Sequence, residues 1–185
     1  YEIDDDLHKE VFNYAESKGL DWFSTPSHET DVELLENQGV GAHKIGSDDA
    51  VNLPFLKYVA QKGKPIILST GMSKLEEVKE SVSTILGEGI NKLILLHCIT
   101  SYPTHEKDVN LLAMKTLMDE FPQLDVGYSD HTLSPVAALC AAAMGARVIE
   151  KHFTYDKKAK GPDHMLSANP EAVSYTHLRA HETLT

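Results

Sequence analysis

The chain has 185 residues, 42% of them hydrophobic and 24% charged, and its 28 acidic against 17 basic side chains give a formal net charge of -11. That apolar fraction predicts a packed core and excludes a disordered acidic tail. The charge repels a phosphate backbone, no basic stripe with interleaved aromatics offsets it, and the longest nearly apolar stretch, Pro135 to Ala146, falls well short of the roughly 20 residues that span a bilayer, so neither nucleic acid nor membrane is an expected partner.

In chain order, Asp4 to Lys18 reads as a helix already under way, with Leu7, Val11, Phe12, Tyr14 and Ala15 as a rough apolar face. Short β-rich runs then alternate with helical segments. The strand candidates are Leu20 to Thr25, Gly41 to Ile45, Pro65 to Ser69, Lys92 to His97, Asp125 to Tyr128 and Arg147 to His152. The helices between them are Glu29 to Gln38, Asn52 to Gln61, Lys74 to Leu86, Leu111 to Phe121 and Ser134 to Met144. Ser73 followed by Glu76 reads as a capping box, and Gly39, Gly63, Gly87 and Gly145 sit where helix ends need a left-handed residue. Strict alternation predicts parallel pairing by right-handed crossovers, hence either a doubly wound sheet or a (β/α)8 TIM barrel. The run Val173 to Thr183 resembles a translated sequencing adapter, so residues 173–185 are excluded from the expected domain, which is 1–172.

Polar residues decide between the two α/β folds. Every strand candidate ends in chemically capable groups: Ser24-Thr25, Lys44 with Ser47 to Asp49, Ser69-Thr70-Gly71, His97-Cys98, Ser129-Asp130-His131 and Glu150-Lys151-His152. A barrel gathers all such ends around one mouth, so an incomplete TIM barrel, its last six strand-helix units, is the expected fold. Glu150 and His152 are two apart and share a strand face, and His131 follows the neighbouring strand. Two imidazoles there suit a divalent cation with positions left open for water and substrate, and Glu150 could accept a proton or orient water. Lys44, Ser47 and Ser69, with amides near Gly46 and Gly71, suit an anion. Cys98 and Cys140 form no CxxC pair and no disulfide framework, which points to a reducing, cytoplasmic compartment.

Six ordered motifs carry a resemblance that covers Leu20 to Glu171. They are Lys44-Ile-Gly-Ser47, Leu68-Ser-Thr-Gly-Met72, Leu95-Leu-His-Cys98 with Tyr102-Pro103, Gly127-Tyr-Ser-Asp-His-Thr132, Ile149-Glu-Lys-His-Phe153 and Gly161-Pro-Asp-His164. Together they resemble the sialic acid synthase (N-acetylneuraminate synthase) family. The resemblance implies a TIM-barrel transferase that condenses phosphoenolpyruvate with an N-acetylated hexosamine, N-acetylmannosamine or a diacetamido-deoxy analogue, to a nine-carbon 2-keto sugar acid and phosphate. It implies a divalent metal, manganese in most members, with magnesium or cobalt as alternatives, held by His131 and His152. Glu150 is then near the reacting enolpyruvyl group, and Lys44, Ser47, Ser69, Ser129 and Thr25 hold the phosphate and carboxylate of phosphoenolpyruvate. Tyr102 and Asp163 contact the sugar, and Asp49 stands where the family carries a glutamate facing it. Ser27 and Thr100 also depart from the family pattern, which leaves the choice of sugar open.

The competing readings are a phosphoenolpyruvate-aldose synthase of the octulosonate or heptulosonate phosphate type and a non-catalytic sugar-binding barrel remnant. The family also implies two strands upstream of Tyr1, a C-terminal antifreeze-like domain beyond this chain and a homodimer for the full-length protein, so the 185-residue chain alone is expected to be inactive.

Overall fold

Short runs of branched apolar residues become the strands of the computed structural model, which describes residues 3–175. They are β1 (His43–Ile45), β2 (Ile66–Ser69), β3 (Leu93–Cys98), β4 (Asp125–Asp130) and β5 (Ile149–Lys151). Helices α1 (Asp5–Ser17), α2 (Glu29–Asn37), α3 (Leu53–Ala60), α4 (Leu75–Gly87), α5 (Leu111–Glu120) and α6 (Val136–Ala143) match the expected segments to within a residue or two. All strand pairs are parallel, in the order β1-β2-β3-β4-β5. Each strand lies beside its predecessor with no reversal, so there is no switch point of the kind a doubly wound sheet has. The sheet curls into a half-barrel, part of a (β/α)8 fold.

The two faces of the sheet differ in chemistry because side chains alternate along each strand. Ile45, Ile66, Leu68, Leu93, Leu95, Val126 and Tyr128 face the helices and join one buried cluster with Val32, Leu56, Val59, Val82, Ile85, Met114 and Ala141. Each such aliphatic side chain contributes about 1.5–3 kcal/mol by leaving water. The opposite face carries the register row Cys98, Ser129 and Glu150, so polar groups from neighbouring strands stand side by side.

Three expectations need correction. Leu20 to Thr25 is no strand: it makes one parallel bridge, Ser24 to His43, so five strands and not six form among the described residues. Trp22 stacks on Phe12 of α1, with ring centroids 3.9 Å apart, and donates its indole N–H to Glu16, which pulls the segment off the sheet. Pro26, lacking an N–H, then prevents further pairing. The box opening α4 is shifted by one: Glu77, not Glu76, accepts the Lys74 N–H at 2.7 Å, and the Ser73 hydroxyl is buried without a partner among the described residues. The left-handed residue after α4 is Gly89 (φ 88°), not Gly87, which ends the helix itself.

α1 buries none of its residues, and Leu7, Val11 and Tyr14 of its apolar face remain exposed. Residues 170–175 are helical, and the remainder of 173–185 lies outside the described residues.

Gly127 marks the tightest approach in the sheet. A Cβ there would sit 2.3 Å from the Val148 carbonyl oxygen and 2.8 Å from Leu96 Cδ2. Gly127→Ala is therefore expected to force β4 from β5 and cost about 1–3 kcal/mol. Urea unfolding measures this, and an unchanged midpoint would contradict the close approach.

Candidate functional site

Eight of the residues singled out from the sequence line one cavity of about 360 Å³ at the carboxyl ends of the strands. Lys44, Ser47, Ser69, Tyr102, Ser129, His131, Glu150 and His152 meet there, with Gly46, Asp48, Met72, Cys98 and Thr100 completing the wall. A larger hollow of about 470 Å³ between residues 20–23 and 39–42 holds Glu16 and Asp21 as its only titratable lining groups. Chemistry therefore favours the smaller cavity.

Lys44 emerges from β1 into the curl of the sheet and is buried. Its Nζ donates to Ser69 Oγ at 2.8 Å and to the Ile45 carbonyl at 3.1 Å, and lies 3.6 Å from Glu150 Oε2. Ser129 donates its hydroxyl to the other Glu150 oxygen at 2.6 Å. One network thus joins β1, β2, β4 and β5 and orients a lysine and a carboxylate toward the same space. Beside it, Ser47 Oγ accepts the Gly71 N–H at 3.0 Å and lies 3.2 Å from Cys98 Sγ. Gly71 is required there, since a Cβ would come within 2.6 Å of Cys98 Sγ and 2.9 Å of its carbonyl oxygen.

His131 and His152 face each other with ring centroids 5.4 Å apart. His131 Nδ1 is 2.9 Å from the Ile99 carbonyl, which can only accept, so Nδ1 carries the proton and Nε2 presents its lone pair. Burial pushes the His131 imidazole below its ordinary pKa against the opposing Ile99 bond, and the neutral, ligating form is favoured. His152 Nδ1 lies 3.6 Å from Asp163 Oδ2. Tyr102 lies against both rings, at 4.1 Å and 5.7 Å. Burial, followed by the nearby Cys98 and carboxylates, raises its phenol pKa and keeps it a hydrogen-bond donor.

Three sequence-stated candidates do not line the cavity. Asp163 reaches it only through His152. Asp49 turns to Asn52, accepting from Nδ2 at 3.3 Å, while Asp48 takes the place on the wall. Thr25 is exposed beyond the Ser24 bridge. Strand alternation stops at Ile45, and the turn closed by Asp49 N to Gly46 O at 3.3 Å decides which aspartate faces inward. Met72 entered the sequence reading only as the last residue of a motif and was given no role there; Cys98 was singled out through its strand-end position. His97 points to the helices instead, where Nε2 meets the Val109 carbonyl at 2.9 Å.

Among the described residues no group of three or more His, Cys, Asp or Glu is disposed to hold a metal ion. The two Nε2 atoms are thus a two-ligand set, and water or substrate would have to complete it.

A model of the NeuB family matches residues 1–181. An uncharacterized protein of Methanocaldococcus jannaschii is 49% identical over 170 residues, which make up 92% of this chain and 50% of that protein. The N,N'-diacetyllegionaminic acid synthase of Legionella pneumophila is 45% identical over 176 residues, 93% of this chain and 49% of its own length. The crystal structure of N-acetylneuraminic acid (sialic acid) synthetase from Leptospira borgpetersenii superposes with a TM-score of 0.94 at 32% identity, covering 98% of this chain and 63% of that one. The chain spans about half the length of the curated relatives it matches.

Burial lowers the pKa of His97 and of His43 on the helix-facing side of the sheet. Between their folded values and the unfolded value of 6.5 the unfolded chain binds more protons, so stability is full above pH 6.5 and falls as the pH drops below it. Each such histidine contributes at most about 1.4 kcal/mol per pH unit. Urea unfolding at pH 7.5 and pH 5.5 is expected to show this loss, and His97→Asn to reduce it; equal stability at both would contradict the assignment.

Proposed function

The chain belongs to the NeuB family, and from that premise we propose that it carries the central site of a synthase joining phosphoenolpyruvate to an N-acetylated amino sugar. The observation that supports this most strongly is the convergence of Lys44, Ser69, Ser129, Glu150 and the two imidazoles in one cavity. The names of the relatives, sialic acid and diacetyllegionaminic acid synthases, agree with it.

In this reading Lys44 and the hydroxyls of Ser47, Ser69 and Ser129 bind the phosphate and carboxylate of phosphoenolpyruvate. A buried ammonium with short donors suits such an anion, and its attraction strengthens where water is excluded. The open-chain acceptor lies toward Tyr102 and Asp48, its aldehyde near the imidazole pair. His131 and His152 would hold a divalent cation, manganese by family resemblance, which supplies Lewis-acid polarisation of the aldehyde oxygen when bound.

C3 of phosphoenolpyruvate attacks the aldehyde carbon, the carbonyl electron pair passes to the aldehyde oxygen, which takes a proton from solvent and becomes a hydroxyl, and C2 gains positive character. Water adds at C2, and Glu150, oriented by Ser129 and Lys44, takes one proton from it. The C2–O bond to phosphate then breaks as the new C2 hydroxyl gives its second proton to the departing phosphate and becomes the keto oxygen, and Lys44 and the serines stabilise the growing charge on phosphate. Holding both substrates in one cavity supplies the proximity that a bimolecular reaction in water lacks.

The described wall favours an unphosphorylated sugar as acceptor. Lys44 is the only lysine or arginine on the cavity wall among the described residues, and it already faces Ser69 and Glu150. Asp48 adds a negative charge where the sugar would enter. A phosphorylated acceptor, as in octulosonate or heptulosonate phosphate synthesis, calls for a second cation, and none lines this cavity among the described residues.

The test is phosphate release by the full reading frame containing this chain, with manganese, phosphoenolpyruvate and a panel of N-acetylmannosamine, its 6-phosphate and diacetamido-trideoxy hexoses. Release is expected with one unphosphorylated sugar, and His131→Ala and Lys44→Met are each expected to lower kcat/KM by roughly 10²–10⁴. Folded protein that binds manganese yet releases no phosphate with any sugar would overturn the reading.

A further inference from the structure

Behind the two imidazoles lies a buried ion pair that the chemistry above leaves unused. Asp130 and Lys151 are register partners on β4 and β5, and alternation turns both away from the cavity that Ser129 and Glu150 face. Asp130 is fully buried, and the Lys151 side chain is 15% exposed. Lys151 Nζ donates to Asp130 Oδ2 at 2.7 Å and to the Thr132 carbonyl at 2.8 Å. Asp130 Oδ1 accepts the Thr132 N–H at 2.9 Å and the Tyr128 hydroxyl at 3.3 Å.

These bonds bear on the residues that flank the imidazoles. Asp130 and Thr132 bracket His131, and Lys151 precedes His152. Lys151 therefore ties both sides of the His131 backbone to the residue from which His152 departs. The rest of His131 is held too: its carbonyl accepts the Thr104 N–H at 2.9 Å and its Nδ1 meets Ile99 O. With the backbone fixed behind and Nδ1 fixed in front, what remains is the spacing to His152, whose carbonyl accepts the Ala168 N–H at 2.7 Å and whose strand pairs with β4 where Lys151 meets Asp130. A buried ion pair contributes little net stability after desolvation, so its use here is in geometry.

We propose that Lys151 and Asp130 are positioning residues that hold the His131 and His152 imidazoles at the separation a shared divalent cation requires. This rests on the cation reading above. Ligand pairs set slightly too far apart or turned by a few degrees lose affinity, because a two-histidine site has no third protein ligand to compensate.

The experiment is manganese titration, followed by the electron paramagnetic resonance signal of free Mn²⁺, on the full reading frame with parallel thermal unfolding. The variants are Lys151→Met, the charge-free double Asp130→Asn with Lys151→Met, and Leu95→Ala as a core control on β3, two strands from Lys151. The Lys151 variants are expected to weaken Mn²⁺ binding by about 10–100-fold, while Leu95→Ala lowers Tm and leaves binding within about twofold. The double variant guards against unfolding from an uncompensated buried Asp130. Folded Lys151 variants with wild-type affinity, an equal loss in Leu95→Ala, or failure of both Lys151 variants to fold would each overturn the proposal. Absence of Mn²⁺ binding in the wild-type protein would instead sink the cation reading on which it stands.

Discussion

Side-chain alternation along parallel strands is the constraint on which the whole site depends. The register sets Cys98 opposite Ser129 and Ser129 opposite Glu150, so one face of β3, β4 and β5 presents a polar row while the other packs against helices. A slip of one residue between β4 and β5 would exchange Glu150 for Lys151 in the cavity and send Ile149 inward or Tyr128 out of its core. Burial of Tyr128 and Leu68 therefore fixes the chemistry as firmly as it fixes the fold. The helix layer acts on the site through this register, without touching it.

A polar sheet interior carries a cost that local pairing offsets. Lys44 is buried among three oxygen partners on Ser69, Ile45 and Glu150, and Glu150 has Ser129 on its other oxygen. Each charged group is thus desolvated only where hydrogen bonds replace water. The same arrangement leaves an anion-seeking ammonium and a proton-accepting carboxylate a few ångströms apart, with two imidazoles opposite. Those are the complementary groups that joining an anionic enol phosphate to an aldehyde calls for.

The strand-helix rhythm was legible because the hydrophobic period marks each helix and glycine closes α2, α3 and α6, and α2 through α6 fall where the pattern puts them. The cavity was legible for a different reason: strand-end positions of a barrel converge whatever the loops do, which brings Lys44, Ser69, Ser129, Glu150 and His152 together. Periodicity gives no such guidance beyond a strand end. Asp48 and Asp49 are adjacent in a turn, and only its hydrogen bonds select Asp48 for the wall. Leu20 to Thr25 looked like a strand on composition alone, and the stacking of Trp22 on Phe12 of the preceding helix, which periodicity does not reveal, drew it away. The Asp130–Lys151 pair was present in two motifs, yet its use shows only when both sides of the sheet are seen together.

We propose that His131 Nε2 and His152 Nε2 share one cation beside the Lys44 and Glu150 network. The most direct measurement is a crystal structure of the full reading frame soaked with Mn²⁺, read by anomalous scattering at the manganese edge. A single strong peak within bonding distance of both Nε2 atoms is the predicted result. A peak elsewhere, or none at a concentration that saturates binding in solution, would contradict the account.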